Sequence, residues 1–91
     1  MKARAHITFK GYVQGVGFRW FVRDIAESLR LAGWVKNLPG GAVEAVFEGE
    51  KSVITKAIEQ CSAGPSDSVV SAVDTNWDET VEDLIGFEIK Y

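Results

Sequence analysis

The sequence contains few of the side chains from which disulfides and metal sites are built. Its 91 residues include one cysteine, Cys61, and one histidine, His6. A lone cysteine cannot form an internal disulfide, and a lone histidine on the polar face of a strand gives little support to a metal site. No apolar run approaches the length of a membrane span or of a signal-peptide core, so we expect a cytoplasmic protein with no membrane partner.

Basic and acidic residues are unevenly distributed, although the net charge is only -3. Residues 1–36 contain seven Lys and Arg against two acidic residues, whereas residues 37–91 contain three against eleven. A basic N-terminal third within an acidic chain favours a focused site for a small anion over a broad nucleic-acid surface. We therefore expect a small-molecule partner and no nucleic-acid partner.

Apolar residues recur with strand and helix periods along the chain, in the order β-α-β-β-α-β with a short extra C-terminal strand. The predicted strands are 3–13, 34–38, 42–48, 68–77 and 87–91, and the predicted helices are 18–32 and 52–63. This order implies an antiparallel sheet with two helices on one face, a ferredoxin-like α/β sandwich of the α+β class. The length suits one small domain, which we assign to residues 1–91.

Local residue types predict where these elements end. Gly33 is placed to be the C-cap of the first helix, and Ser52 is a possible N-cap of the second. Pro39 and Gly40 suit the two central positions of a type II turn in the hairpin between the second and third strands. Gly49 is expected to end the third strand.

Other residues are interpreted by their position in the pattern. Cys61 lies on the apolar face of the second helix and is interpreted as a small core residue. Alternation in the third strand places Val43, Ala45 and Phe47 on one face and Glu44, Val46 and Glu48 on the other. Single tryptophans near element ends need no special explanation, so Trp20 is interpreted as a packing residue, as are Trp34 and Trp77. The acidic segment 78–83 lacks calcium-loop spacing and is interpreted as a solvated turn.

The glycine-rich entry to the first helix breaks two local rules. Between Gln14 and Phe18 there is no Ser, Thr, Asp or Asn to cap the first turn, so its orphan N–H groups lack the usual acceptor. Arg19 also places a positive charge at the positive end of the helix dipole. A bound anion would repair both faults, because it would accept the N–H bonds and neutralise the charge.

Two known phosphate motifs do not match this loop. There is no G-x-x-x-x-G-K-[ST], and Trp20 stands where a dinucleotide fingerprint needs Gly or Ala. From the residues alone, an anion-binding nest and a tight turn with a solvated Arg19 are about equally supported. Asn37 stands beside a turn, where asparagine commonly hydrogen-bonds local backbone, so a structural role is favoured on spacing alone.

In addition, four segments of the chain resemble the acylphosphatase family over essentially the whole length. They are Gly11-Tyr12-Val13-Gln14-Gly15-Val16-Gly17-Phe18-Arg19, Gly33-Trp34-Val35-Lys36-Asn37, Gly41-Ala42-Val43-Glu44-Ala45 and Gly64-Pro65. The family's fold agrees with the predicted order of elements. The sequence differs from the common pattern at Gly40, where many members have Asp, and at Ser68, where Ala is usual.

The resemblance implies metal-free and cofactor-free hydrolysis of carboxyl-phosphate anhydrides to a carboxylate and phosphate, by a chain that we expect to be a monomer. Arg19 matches the arginine that binds the substrate phosphate, and Asn37 matches the asparagine that orients the attacking water. The phosphate would also be bound by the backbone amides of the segment from Gln14 to Phe18. The members of that segment are Gln14, Gly15, Val16, Gly17 and Phe18.

Two other functions remain possible on the same fold. RNA-binding domains share the sandwich, and Phe18 and Phe21 loosely resemble their aromatic strand motif, but here these aromatics follow a helical period. A non-catalytic phosphate sensor is the other alternative.

Overall fold

The computed structural model describes residues 2–78 and 81–91 of the chain, which form five strands and two helices. The elements are β1 (Lys2–Tyr12), α1 (Phe18–Ser28), β2 (Ala32–Asn37), β3 (Val43–Glu50), α2 (Lys51–Ala63), β4 (Val69–Asp78) and β5 (Phe87–Lys90). The strands make one sheet in the order β4-β1-β3-β2-β5. The predicted order of elements and the ferredoxin-like α+β fold are confirmed.

One part of the predicted sheet is wrong, because β5 pairs parallel to β2. The other three pairs, β1 with β3, β1 with β4 and β2 with β3, are antiparallel. β4 therefore finishes at the same end of the sheet at which β2 begins. A last strand that starts from that end and pairs with β2 runs in the same direction as β2, so the sheet is mixed.

The core lies between one face of the sheet and both helices. β1 contributes alternate residues that are almost wholly buried, among them Ile7 and Phe9. The helices add Phe18, Val22 and Ala26 from α1 and Ile54, Ala57 and Cys61 from α2 to the same cluster. Cys61 is a core residue, as predicted, and its burial raises the pKa of the thiol to about 12.

The first helix ends earlier than predicted. Leu29 is its C-cap residue, and Arg30 follows in the left-handed region at φ 57°. The N–H of Arg30 donates to the carbonyl of Glu27 at 3.1 Å, and the N–H of Leu31 donates to that of Ala26 at 2.9 Å. These two bonds make a Schellman motif in which an arginine occupies the position that glycine usually takes.

Gly33 is therefore not a helix cap but a residue of β2. A Cβ atom at this position would lie 1.8 Å from the carbonyl oxygen of Val46 on the neighbouring strand. Glycine is required here because the two backbones approach too closely for any side chain. Ser52 is also not a cap, since α2 begins at Lys51, and Gly49 lies inside β3, which continues to Glu50.

The hairpin between β2 and β3 turns as predicted. The N–H of Gly41 donates to the carbonyl of Leu38 at 3.3 Å, and Gly40 has a φ of 97°, which a type II turn requires at this position. Glycine at position 40 is compatible with this turn. Ser68 donates its hydroxyl to the carbonyl of Pro65 at 2.7 Å, which closes the turn after α2.

Glu48 does lie on the face of β3 away from the helices, but it is buried there. Its carboxylate accepts the N–H of Glu82 at 2.6 Å and the N–H of Leu84 at 2.9 Å, so the segment before β5 covers it. Residues 79 and 80 of the predicted acidic turn lie outside the described residues. Within the described part of the chain, neither helix has the length and apolar character that crossing a membrane requires.

Candidate active site

The loop between β1 and α1 adopts a conformation that needs glycine. Gly15 and Gly17 have φ angles of 76° and 77°, and Gly17 is the N-cap residue of α1. A Cβ at either position would meet nothing within 4 Å, so the backbone conformation and not lack of space requires glycine. No side chain of the described residues caps the helix. Its first-turn N–H groups are thus left without the usual side-chain acceptor.

Arg19 lies in the first turn of α1 and is held by the end of β5. Its Nη1 donates to the carbonyl oxygen of Lys90 at 3.2 Å, and its guanidinium lies 4.7 Å from the centroid of the Tyr91 ring. The two contacts limit the positions that the guanidinium can take. A fixed guanidinium retains further N–H donors in a planar fork, the geometry that suits a tetrahedral oxyanion.

Asn37 is the last residue of β2 and is paired with Val43 at the start of the hairpin. Its side-chain oxygen, Oδ1, is buried, and it accepts no hydrogen bond from the residues described. A buried acceptor without a donor costs about 1–3 kcal/mol. Such an atom is therefore a natural acceptor for a bound molecule, water included.

A single cavity of about 120 Å³ brings these groups together. It is lined by both candidate catalytic residues, Arg19 and Asn37, and by Gly15 and Gly17 of the loop. Val13, Phe18 and Trp20 complete the lining. Arg19 and Asn37 are 18 positions apart in the sequence but share one site, because the loop after β1 and the hairpin after β2 lie at the same end of the sheet.

Two loop residues have side chains that serve other purposes. The amide Nε2 of Gln14 donates to the carbonyls of Leu38 and Ala42, at 2.8 Å each. It therefore fastens the glycine loop to the hairpin turn that follows Asn37. Val16 is half-buried and packs against the core. Their backbone amides remain the donors that a bound anion could use.

The structure also brings to the site three residues that the sequence patterns did not indicate. The sequence pattern predicts a packing role for Trp20, but this residue is 50% exposed and lines the cavity. Lys90 and Tyr91 reach Arg19 from a strand 71 residues further along the chain. Local periodicity has no information about such a distant contact. The indication that the sequence offers is a tryptophan directly after the candidate arginine.

Glu48 supports this arrangement from outside the cavity. Burial raises the pKa of its carboxyl, but the N–H groups of Glu82 and Leu84 and the guanidinium of Arg4 outweigh burial and hold that pKa below its ordinary value. Nη1 of Arg4 lies 3.0 Å from Oε2 of Glu48 and 2.9 Å from Oε1 of Glu82. The ionised carboxylate thus anchors the segment that leads into β5 and so to the backbone that holds Arg19.

The fold defines the ferredoxin-like α+β class, and comparison with known proteins defines the family within it. The acylphosphatase family model matches residues 5–89. An acylphosphatase of Roseiflexus sp. (strain RS-1) is 47% identical over 87 residues, which is 96% of this chain and 94% of that protein.

Two solved structures are also similar over nearly their whole length. The acylphosphatase from Bacillus subtilis superposes with a TM-score of 0.96 at 36% identity and covers 100% of both chains. That from Coxiella burnetii gives 0.92 at 43% identity, with 98% of this chain and 93% of that chain covered. The chain belongs to the acylphosphatase family and is a hydrolase of that family. The resemblance found in the sequence is confirmed.

Proposed function

We propose that the chain hydrolyses carboxyl-phosphate anhydrides of small molecules by binding the phosphoryl group at Arg19 and the glycine loop and by orienting a water at Asn37. The observation that supports this most directly is that Asn37, whose buried Oδ1 has no hydrogen-bond partner among the described residues, lines the same cavity as Arg19. An acceptor oxygen beside an anion site suits a water that must lie near a phosphorus atom.

Phosphate binding is assigned to two sets of donors. The Arg19 guanidinium donates to phosphoryl oxygens as a fork, and the backbone N–H groups of residues 14–18 form a nest that donates hydrogen bonds to the remaining oxygens. The left-handed glycines Gly15 and Gly17 support this assignment, since alternation of left- and right-handed backbone points successive N–H groups inward. Both sets also stabilise the negative charge of the transition state.

The reaction itself needs little further help from side chains. Asn37 Oδ1 accepts a hydrogen bond from water and holds its oxygen in line with the bond to be broken. The water oxygen forms a bond to phosphorus, the bond between phosphorus and the acyl oxygen breaks, and the electron pair leaves on the carboxylate. A phosphoryl oxygen takes the proton from the water. A carboxylate is a good leaving group, so the step requires no general acid, metal or cofactor.

The test compares two substrates that differ in their leaving group. Benzoyl phosphate releases a carboxylate, whereas phenyl phosphate releases a phenoxide, which is a poorer leaving group. We expect turnover of benzoyl phosphate that survives treatment with a chelator, and turnover of phenyl phosphate that is slower by about 100-fold or more. Equal rates on both substrates, or loss of activity with the chelator, would contradict the mechanism.

The remaining assignments concern the whole chain. We propose that residues 1–91 act as one domain, as a monomer in the cytoplasm, with no nucleic-acid partner. Phe18 is buried and Phe21 lies on α1, so neither ring is presented on a strand for base stacking, and this supports the last assignment. Tight, salt-sensitive binding of single-stranded RNA without turnover would contradict it.

A further inference from the structure

The cavity is small for an acyl phosphate with a large acyl group. Its volume is about 120 Å³, whereas pockets that bury a drug-sized ligand measure roughly 300–1,000 Å³. The space suffices for a phosphoryl group and the attacking water. The acyl part of any larger substrate must therefore extend past the cavity to the surface around its mouth.

Among the residues that line the cavity, Trp20 is the exposed aromatic side chain. It follows Arg19 directly in α1, lines the cavity and leaves 50% of its side chain exposed. A tryptophan offers a large flat apolar surface, and aromatic pairs gain about 0.5–1.5 kcal/mol beyond their buried area. An exposed indole next to the phosphate site is thus a contact surface that the mechanism proposed above does not use.

The indole is also held in place before any substrate arrives. The guanidinium of Arg23, one helical turn further, lies 4.4 Å from the centroid of the Trp20 ring. Arg23 is in turn paired with Asp24 at 3.1 Å and with Glu27 at 3.8 Å. A ring that is already fixed loses little conformational freedom on binding, so its contacts contribute more fully to affinity.

From these observations we propose that Trp20 binds the acyl group and makes the site selective for acyl phosphates whose acyl group is a planar aromatic ring. The proposal rests on the function proposed above, because it assumes that the phosphoryl group lies at Arg19. The phosphate then fixes one end of the substrate, and the ring of the acyl group packs on the indole at the other end. Small aliphatic acyl groups are too short and too narrow to gain this contact.

Binding of inert analogues tests the contact without turnover. Benzylphosphonate and methylphosphonate share the phosphoryl-like group and differ in the aromatic ring, and calorimetry measures the affinity of each. We expect the chain to bind benzylphosphonate about 10-fold more tightly than methylphosphonate, a ratio that Trp20→Ala reduces to about one. Trp20→Phe keeps a planar ring and is expected to retain most of the preference.

A matched control is available elsewhere on the surface. Trp77 is 41% exposed and lies under the ammonium of Lys51 at 5.0 Å, so it resembles Trp20 in exposure and in its cation contact. It pairs with Ala5 near the opposite end of β1 from the glycine loop. Trp77→Ala is therefore expected to leave the ratio of the two affinities unchanged.

The same variants are then assayed with benzoyl phosphate and acetyl phosphate. In Trp20→Ala the kcat/KM for benzoyl phosphate divided by that for acetyl phosphate is expected to fall about 10-fold. An unchanged ratio in both experiments would overturn the proposal for Trp20. If the chain binds the phosphonates with a preference that depends on Trp20 but hydrolyses neither acyl phosphate, the catalytic function fails and the acyl-group contact stands.

Discussion

At the scale of single residues, Arg19 is held by two contacts, with the Lys90 carbonyl and the Tyr91 ring, neither of which is with an acidic side chain. The bond to the Lys90 carbonyl uses one N–H and leaves the rest of the fork for an anion. Its positive charge lies at the positive end of the α1 dipole, which is unfavourable unless an anion is bound there. The free donors point to binding of an anion by the shape of the guanidinium, and the unfavourable position points to an anion that neutralises its charge.

Arg19→Lys keeps the charge and removes the planar fork. We expect the inhibition constant of inorganic phosphate to rise about 10-fold or more, because two parallel hydrogen bonds are lost. Arg30→Lys is the matched control, since Arg30 is an exposed arginine at the other end of the same helix. If Arg19→Lys kept its phosphate affinity within about twofold, the assignment of forked binding to Arg19 would be wrong.

Glu48 is the residue whose ionisation should matter most for stability. The pKa of its carboxyl is lower in the folded chain than in the unfolded chain, so its contribution is present above the unfolded pKa and is lost as the pH falls through the folded one. Glu48→Gln replaces an acceptor oxygen by a donor beside two N–H groups. We expect a loss of about 2 kcal/mol in urea unfolding at neutral pH.

The difference in unfolding free energy between Glu48→Gln and the original chain should become smaller as the pH falls through the pKa of the Glu48 carboxyl in the folded chain. Glu59→Gln, at an exposed position of α2, is the control and should have almost no effect. A stability difference that is the same at neutral and strongly acidic pH would show that ionised Glu48 does not anchor the segment before β5.

At the scale of elements, helix and strand order could be predicted because apolar residues repeat with clear periods, and the hairpin turn could be predicted from Pro39 and Gly40. The end of α1 could not, because Arg30 takes a conformation that favours glycine, while Gly33 serves a close approach to Val46. The burial of Glu48 was missed for a related reason. It depends on a segment more than 30 residues later, which alternation within β3 does not reveal.

The Schellman motif gives a prediction at this scale. Arg30→Gly removes the cost of a left-handed non-glycine residue and is expected to stabilise the chain by up to about 1 kcal/mol. Lys56→Gly, at an exposed position inside α2, should instead destabilise it by about 1 kcal/mol. Urea unfolding measures both. Destabilisation by Arg30→Gly would contradict the described end of α1.

At the scale of the whole molecule, the site depends on the topology of the sheet. The glycine loop after β1 and the hairpin after β2 lie at the same end of the sheet, because β1 and β2 run in the same direction on either side of β3. The parallel addition of β5 then brings Lys90 and Tyr91 to Arg19. The candidate site residues Arg19 and Asn37 could be proposed from family resemblance. That Trp20 lines the same cavity could be learned only from the structure.

If residues 1–91 form one domain, the chain should unfold in a single step. Both helices pack on the same face of the sheet, and Cys61 has no exposed surface in the folded chain. Tryptophan fluorescence and far-UV circular dichroism should give the same urea midpoint, and Cys61 should react with a thiol reagent only across that transition. Two separate transitions would contradict the assignment of one domain.

In the proposed mechanism Arg19 binds the phosphoryl group and Asn37 positions the water, and the kinetics of Asn37→Ala test this division most directly. The measurement is the turnover of benzoyl phosphate together with the competitive inhibition constant of inorganic phosphate. We predict that kcat falls about 100-fold or more, because the water is no longer positioned, while the inhibition constant changes less than about threefold. Turnover at the original rate, or equal loss of turnover and phosphate binding, would contradict the role assigned to Asn37.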